Sequence, residues 1–159
     1  MAKDKIKTQE ELAAIVGKLR SSGRKVGFTN GCFDILHRGH VSYLEEAKKA
    51  CDVLVVGLNS DSSVKAIKGQ SRPINPQDAR LEVLAACEFL DYLTVIDEST
   101  PEELIKKLTP DIIFKGGDWE EDKIVGAGHV KAAGGEVKVI PYVEGYSTSA
   151  LIEKIKRSD

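Results

Sequence analysis

Five short apolar runs rich in β-branched residues, at 25–30, 53–58, 92–96, 111–115 and 137–140, recur along the chain with helix-period segments between them. Strands spaced this way cannot close as hairpins; they pair in parallel through crossover helices. The expected architecture is an α/β, Rossmann-like fold, an open parallel five-stranded sheet with helices on both faces. Helices are expected near 39–50, 77–87, 101–108, 123–134 and 147–157. A sixth precedes the first strand: Thr8 and Glu11 form a capping box, Leu12, Ile15, Val16 and Leu19 follow at helical spacing, and Gly23 marks the end. Thr100-Pro101-Glu102-Glu103 repeats that logic, with Thr100 as the cap and proline at the first helical position.

No linker, repeat or low-complexity tract interrupts the 159 residues, which read as one domain, 1–159, with 42% hydrophobic residues to build a core. The net charge of −2 supplies no basic field for nucleic acid or an anionic membrane. Val53 to Leu58, the longest strongly apolar stretch, falls far short of the roughly 20 residues that cross a bilayer. Met1 to Lys5 is charged, and no signal-type apolar core follows it. A cytoplasmic location is the expectation. Cys32, Cys51 and Cys87 are odd in number and widely spaced, so all three read as free thiols, the last two as core fillers.

In an open parallel sheet the ligand groups follow the strands, at the point where strand order reverses. The unusual residues obey this rule. Asn30-Gly31-Cys32-Phe33-Asp34 and His37-Arg38-Gly39-His40 follow the first strand, Asn59-Ser60-Asp61 the second, Lys115-Gly116-Gly117-Asp118-Trp119 the fourth, and Tyr146-Ser147-Thr148-Ser149 the fifth. Two imidazoles three apart share a helix face, Gly39 has no Cβ to block a ligand, and a helix N-terminus favours anions. Together they describe a phosphate-handling site. An unperturbed pKa of about 6.5 lets either ring gain charge when a polyanion arrives; the plainer alternative is a helix cap beside a half-buried structural histidine. Cys32, His37 and His40 make a sparse metal triad, but zinc sites use tighter spacing and a fourth ligand, and no protein metal site is expected.

Residues 67–78, with one glycine, two prolines and the cations Lys68 and Arg72, read as a mobile flap that closes over phosphates. Arg80 is a weaker candidate in the next helix, and an ordinary solvated loop is the alternative. The glycines after the fourth strand permit close backbone approach, or simply a tight turn. Ser147 and Thr148 open the last helix, where hydroxyls and free N–H groups can hold phosphates. Asp34 either accepts from substrate hydroxyls or caps its own loop. Phe33 reads as a core anchor rather than a base-stacking residue, and His129 as a surface residue.

These ordered motifs resemble the nucleotide-binding signature of the cytidylyltransferase-like nucleotidyltransferases. Over nearly its whole length the chain is similar to the adenylyltransferase unit of ADP-heptose synthases. The resemblance implies that an oxygen of D-glycero-D-manno-heptose 1-phosphate attacks the α-phosphorus of ATP, giving ADP-heptose and pyrophosphate, with Mg2+ arriving on the ATP. It implies catalytic roles for His37, His40 and Lys68. Asn30, Gly31, Cys32, Phe33, Gly39, Arg72, Lys115, Gly116, Gly117, Asp118, Ser147 and Thr148 would meet the nucleotide; Asp34, Asn59, Asp61 and Arg80 would meet the sugar phosphate. It further implies a homodimer, and a separate heptose kinase, since the sugar kinase often fused to this unit is not in this sequence. The alternatives are a cytidylyltransferase acting on glycerol 3-phosphate or another small phosphate, and a non-catalytic nucleotide-binding module. Nucleic acid is disfavoured by the acidic balance and the few aromatics.

Overall fold

Strand β1 (Val26–Gly31) lies at the centre of the sheet, paired in parallel with β2 (Val53–Asn59) on one side and β4 (Ile112–Gly116) on the other. With β3 (Tyr92–Ile96) and β5 (Glu136–Ile140) at the edges, the order is β3-β2-β1-β4-β5, all parallel. The structure, a computed structural model, describes residues 1–158; the last residue of the expected 1–159 domain lies outside them. The chain builds outward from β1 to β3, then returns to place β4 beside β1, which is the strand-order reversal that makes a crevice.

Both sheet faces are covered. Leu12 and Val16 of α1 (Gln9–Ser21), Leu104, Ile105 and Leu108 of α5 (Glu102–Leu108), and Ala127 and Val130 of α6 (Ala127–Ala132) bury one face with Phe28 and Val55. Leu44 and Ala47 of α2 (Arg38–Lys49) and Leu81, Leu84 and Ala85 of α4 (Gln77–Ala85) bury the other with Leu54, Val56 and Phe114. Every residue of β2 is buried, as expected of a central parallel strand between two helical layers. Gly27 lets this layer close, since a Cβ there would lie 2.8 Å from the Cys51 sulfur. Cys32, Cys51 and Cys87 are all free.

The helix count is corrected from six to seven among the described residues by α3 (Asp61–Lys68), capped by the Ser60 hydroxyl, which accepts from the Ser63 N–H. The capping box at Thr8 and Glu11 forms. That at Thr100 does not: α5 starts after Pro101 with no side-chain cap. The helix expected over 123–134 shortens to α6 because Gly126, at φ 83°, separates it from a 3₁₀ turn at Glu121–Lys123. The last helix, α7, spans Thr148–Lys156. No helix among the described residues is long and apolar enough to cross a membrane.

Candidate active site

β1 and β4 are in register only at Gly27 with Ile112 and Phe28 with Ile113, whereas β1 stays paired to β2 through Gly31. The two strands therefore part beyond Phe28 and open a cleft of about 540 Å³ at their carboxyl ends. Segments from all four strand-end motifs line it, and so do Lys68 and Arg72. On one side, the Tyr43 hydroxyl lies 2.7 Å from that of Thr29.

The histidines sit where α2 begins. His37 is the N-cap: its Nδ1 accepts the Gly39 N–H at 3.1 Å, and His40 Nδ1 faces the His37 N–H at 3.4 Å. The two rings stack with centroids 3.8 Å apart. A ring whose Nδ1 accepts a hydrogen bond carries its proton on Nε2 when neutral, so the capping contacts select the tautomer. Burial lowers the pKa of His37. Burial also pushes His40 down to about 4, aided by the neighbouring His37 and opposed by the Ile35 backbone. Both rings are pushed toward the neutral form, and charging His37 would break the cap at its Nδ1. Gly39 serves this arrangement directly, since a Cβ there would stand 2.9 Å from His37 Cε1 and 3.2 Å from Tyr146 Cβ. Gly39 packs closely against these two side chains and lines the cleft as well.

Positive charge converges on the same cleft. Lys68, at the end of α3, and Lys115, at the end of β4, have no acidic partner within ion-pair distance among the described residues. Lys115 has its pKa lowered by burial and then by Lys68, and its Nζ lies 5.1 Å from the centre of the Trp119 ring. Two cations held near each other without a counter-charge favour an arriving anion.

Three of the residues expected to hold the acceptor are occupied elsewhere. Asp34 has a fully buried side chain that accepts from the Ile74 and Asn75 N–H groups and from Arg72 Nε at 2.7 Å. Burial pushes its carboxyl up, but those donors outweigh it and hold the pKa below the usual value. The carboxylate thus clasps the 69–76 loop, and no free side is left for sugar hydroxyls. Arg80 is likewise buried and bonded to protein, with Asp61 as one partner, and neither lines the cleft. Asn59 does line it, fixed through its Nδ2 to Ser63 at 2.9 Å.

Asn30, Gly31, Cys32, Phe33, Gly39, Arg72, Lys115, Gly116, Ser147 and Thr148 also line the cleft; Gly117 and Asp118 do not. Burial raises the Cys32 thiol, which suits a wall better than a nucleophile. Phe33, at φ 44°, is buried in the core with its ring 5.2 Å from that of His40. At Gly117, at φ 97°, a Cβ would lie 2.4 Å from Tyr142, so this turn makes room for a protein ring. The Ser147 hydroxyl caps α7 by accepting the Ala150 N–H, and His129 is exposed, 2.9 Å from the Thr109 hydroxyl. Sequence reasoning missed Tyr142, Tyr43, Val125 and the Ser99-Thr100-Pro101 turn as cleft walls. Only the position of that turn after β3 was a usable signal.

A family model described as cytidylyltransferase-like matches residues 28–154, which span every element that forms the cleft. The chain belongs to the cytidylyltransferase-like family. Within it, two relatives named bifunctional protein HldE are similar over almost all of this chain. That of Wolinella succinogenes is 50% identical over 99% of it, and that of a Bradyrhizobium species 53% identical over 97%. The chain spans about a third of their length, 32% and 31%. A solved lipopolysaccharide core biosynthesis protein from Thermoplasma volcanium matches with a TM-score of 0.63 at 30% identity, covering 79% of this chain and 100% of that one. A Francisella tularensis pantoate-beta-alanine ligase, 18% identical over 97% of this chain and 79% of its own, shares the fold with a TM-score of 0.59.

Proposed function

We propose that this member of the cytidylyltransferase-like family is a sugar-phosphate adenylyltransferase. In this reading a phosphate oxygen of D-glycero-D-manno-heptose 1-phosphate attacks the α-phosphorus of ATP, the bond to the β-phosphate oxygen breaks, and pyrophosphate leaves. The observation that carries it is the stacked pair of imidazoles at the α2 N-terminus, in one cleft with Lys68, Lys115 and Arg72. The nucleophile is already an anion, so no general base is required. Rate must come from positioning and from donors that meet charge as it spreads over the phosphates. His37 and His40 supply positioned imidazoles, Lys68 and Lys115 supply the positive charge that the net balance of −2 lacks, and Arg72, neutralised by Asp34, offers its remaining N–H donors.

The heptose assignment rests on the near-complete match to the bifunctional HldE relatives and on the Thermoplasma volcanium protein named for lipopolysaccharide core biosynthesis. Among the described residues no three acidic, histidine or cysteine groups stand together as metal ligands. Asp34, the carboxylate in the cleft wall, is bonded to Arg72. Magnesium would arrive on the triphosphate and offset its charge, while Lys68, Lys115 and Arg72 would hold phosphate oxygens. The enzyme would act in the cytoplasm as a homodimer, on a sugar 1-phosphate supplied by a kinase reaction. A pyrophosphate-release screen crossing ATP and CTP with heptose 1-phosphate, other sugar 1-phosphates and glycerol 3-phosphate tests class, base and acceptor together. Release only with ATP and the heptose phosphate is the expected result; release with CTP and glycerol 3-phosphate would replace this reading, and ATP binding without release would leave a binding module.

A further inference from the structure

Arg80 is among the largest fully buried side chains of the described residues. A buried guanidinium is costly unless its donors are matched, and here four of its N–H groups are. Nε donates to the Asn75 carbonyl at 3.0 Å, Nη1 to the carbonyls of Cys32 at 2.8 Å and Asn59 at 2.7 Å, and Nη2 to Asp61 at 2.9 Å. Cys32 follows β1, Asn59 ends β2, and Asn75 belongs to the 69–76 loop, so one cation ties three walls of the cleft together.

The tie continues beyond Asn75. Its side chain donates to the Asp34 carbonyl at 2.6 Å, its own N–H donates to the Asp34 carboxylate at 2.9 Å, and that carboxylate holds Arg72 through Nε. Arg72 is the opposite of Arg80. Its side chain is only 12% exposed, yet both terminal nitrogens have no hydrogen-bond partner among the described residues. Because no fully buried side-chain nitrogen or oxygen among the described residues lacks a partner, these nitrogens keep surface, and Arg72 lines the cleft. A guanidinium anchored at Nε with its outer fork free is arranged to take two oxygens of one phosphate.

We infer that Arg80 is a positioning residue that acts through Asn75 and Asp34 to aim the free fork of Arg72 at a phosphate of the bound nucleoside triphosphate. The ligand's identity rests on the adenylyl-transfer reading; the relay itself rests on the contacts above. A guanidinium that only stabilised the fold would lower melting temperature while leaving the folded fraction fully competent. A positioning residue changes competence, and only while Arg72 is there to be aimed.

A double-mutant cycle separates the two. Arg80→Lys and Arg72→Ala, singly and combined, are compared by ATP affinity in titration calorimetry and by kcat/KM for pyrophosphate release, each corrected to folded protein. Each single variant is expected to lose roughly 10-fold or more, and Arg80→Lys to cost less than about 3-fold once Arg72 is gone, which is the signature of coupled sites. Losses that multiply would overturn the relay. Should Arg80→Lys fail to fold, Asp61→Ala removes one half-exposed anchor of Arg80 and enters the same cycle, with the same two outcomes. Wild-type protein that binds ATP and releases no pyrophosphate with any acceptor would refute the reaction, while the coupling in ATP affinity would still decide the relay.

Discussion

Acid should destabilise this protein through His40, and replacing that residue by glutamine should remove the effect. The ring is neutral when folded because burial and His37 push its pKa down to about 4, whereas the unfolded chain titrates near the ordinary value of about 6.5. As pH falls, the unfolded state takes up its proton first. The stabilisation is therefore complete above about pH 6.5 and drains away as pH falls toward the folded value. At about pH 5 the unfolded chain is almost fully protonated at this site and the folded state hardly at all, a gap of about 1.5 pH units or about 2 kcal/mol. The open side of the cleft admits solvent, which brings the working figure to about 1–2 kcal/mol. Glutamine can still accept the His37 N–H and does not titrate. Urea unfolding of wild type and His40→Gln at about pH 7.5 and about pH 5 measures the difference. Equal acid losses in the two proteins would refute the assignment of a depressed pKa to this ring.

Replacing His37 by alanine should reduce kcat for pyrophosphate release by about 10²–10³, as loss of a transition-state donor does, with a much smaller change in ATP affinity. Asp34→Asn should cost about 3–5 kcal/mol in urea unfolding, because it leaves the buried Arg72 Nε contact without its counter-charge; limited proteolysis should then cut within 69–76. Gly117→Ala meets both a left-handed backbone at φ 97° and the Tyr142 ring, and should lower stability by about 1–3 kcal/mol in a thermal melt.

The strands were legible because each is a short apolar run whose ends are set by turn chemistry, and observed and expected boundaries differ by a residue or so. Helix α3 was hidden within Asn59-Ser60-Asp61-Ser62-Ser63, which reads as a polar loop until the Ser60 cap and buried Val64 are seen together. The rim itself was legible too, since the rule that ligand groups follow parallel strands needs only strand positions. What each rim residue does was not. Asp34 and Arg80 carry charges that suit a ligand equally well, and only their contacts to residues 21 to 41 positions away reveal that protein atoms occupy them. The same holds for the glycines at 39 and 117, whose missing Cβ atoms make room for His37 and Tyr142, and for the imidazole tautomer, which depends on which nitrogen the helix cap consumes.

A crystal structure with a non-hydrolysable ATP analogue tests the central claim most directly. The account predicts Nε2 of both His37 and His40 within about 3.2 Å of phosphate oxygens, with each Nδ1 still facing its backbone N–H. Triphosphate bound with both rings turned away from it, or with the Nδ1 caps broken, would contradict the account.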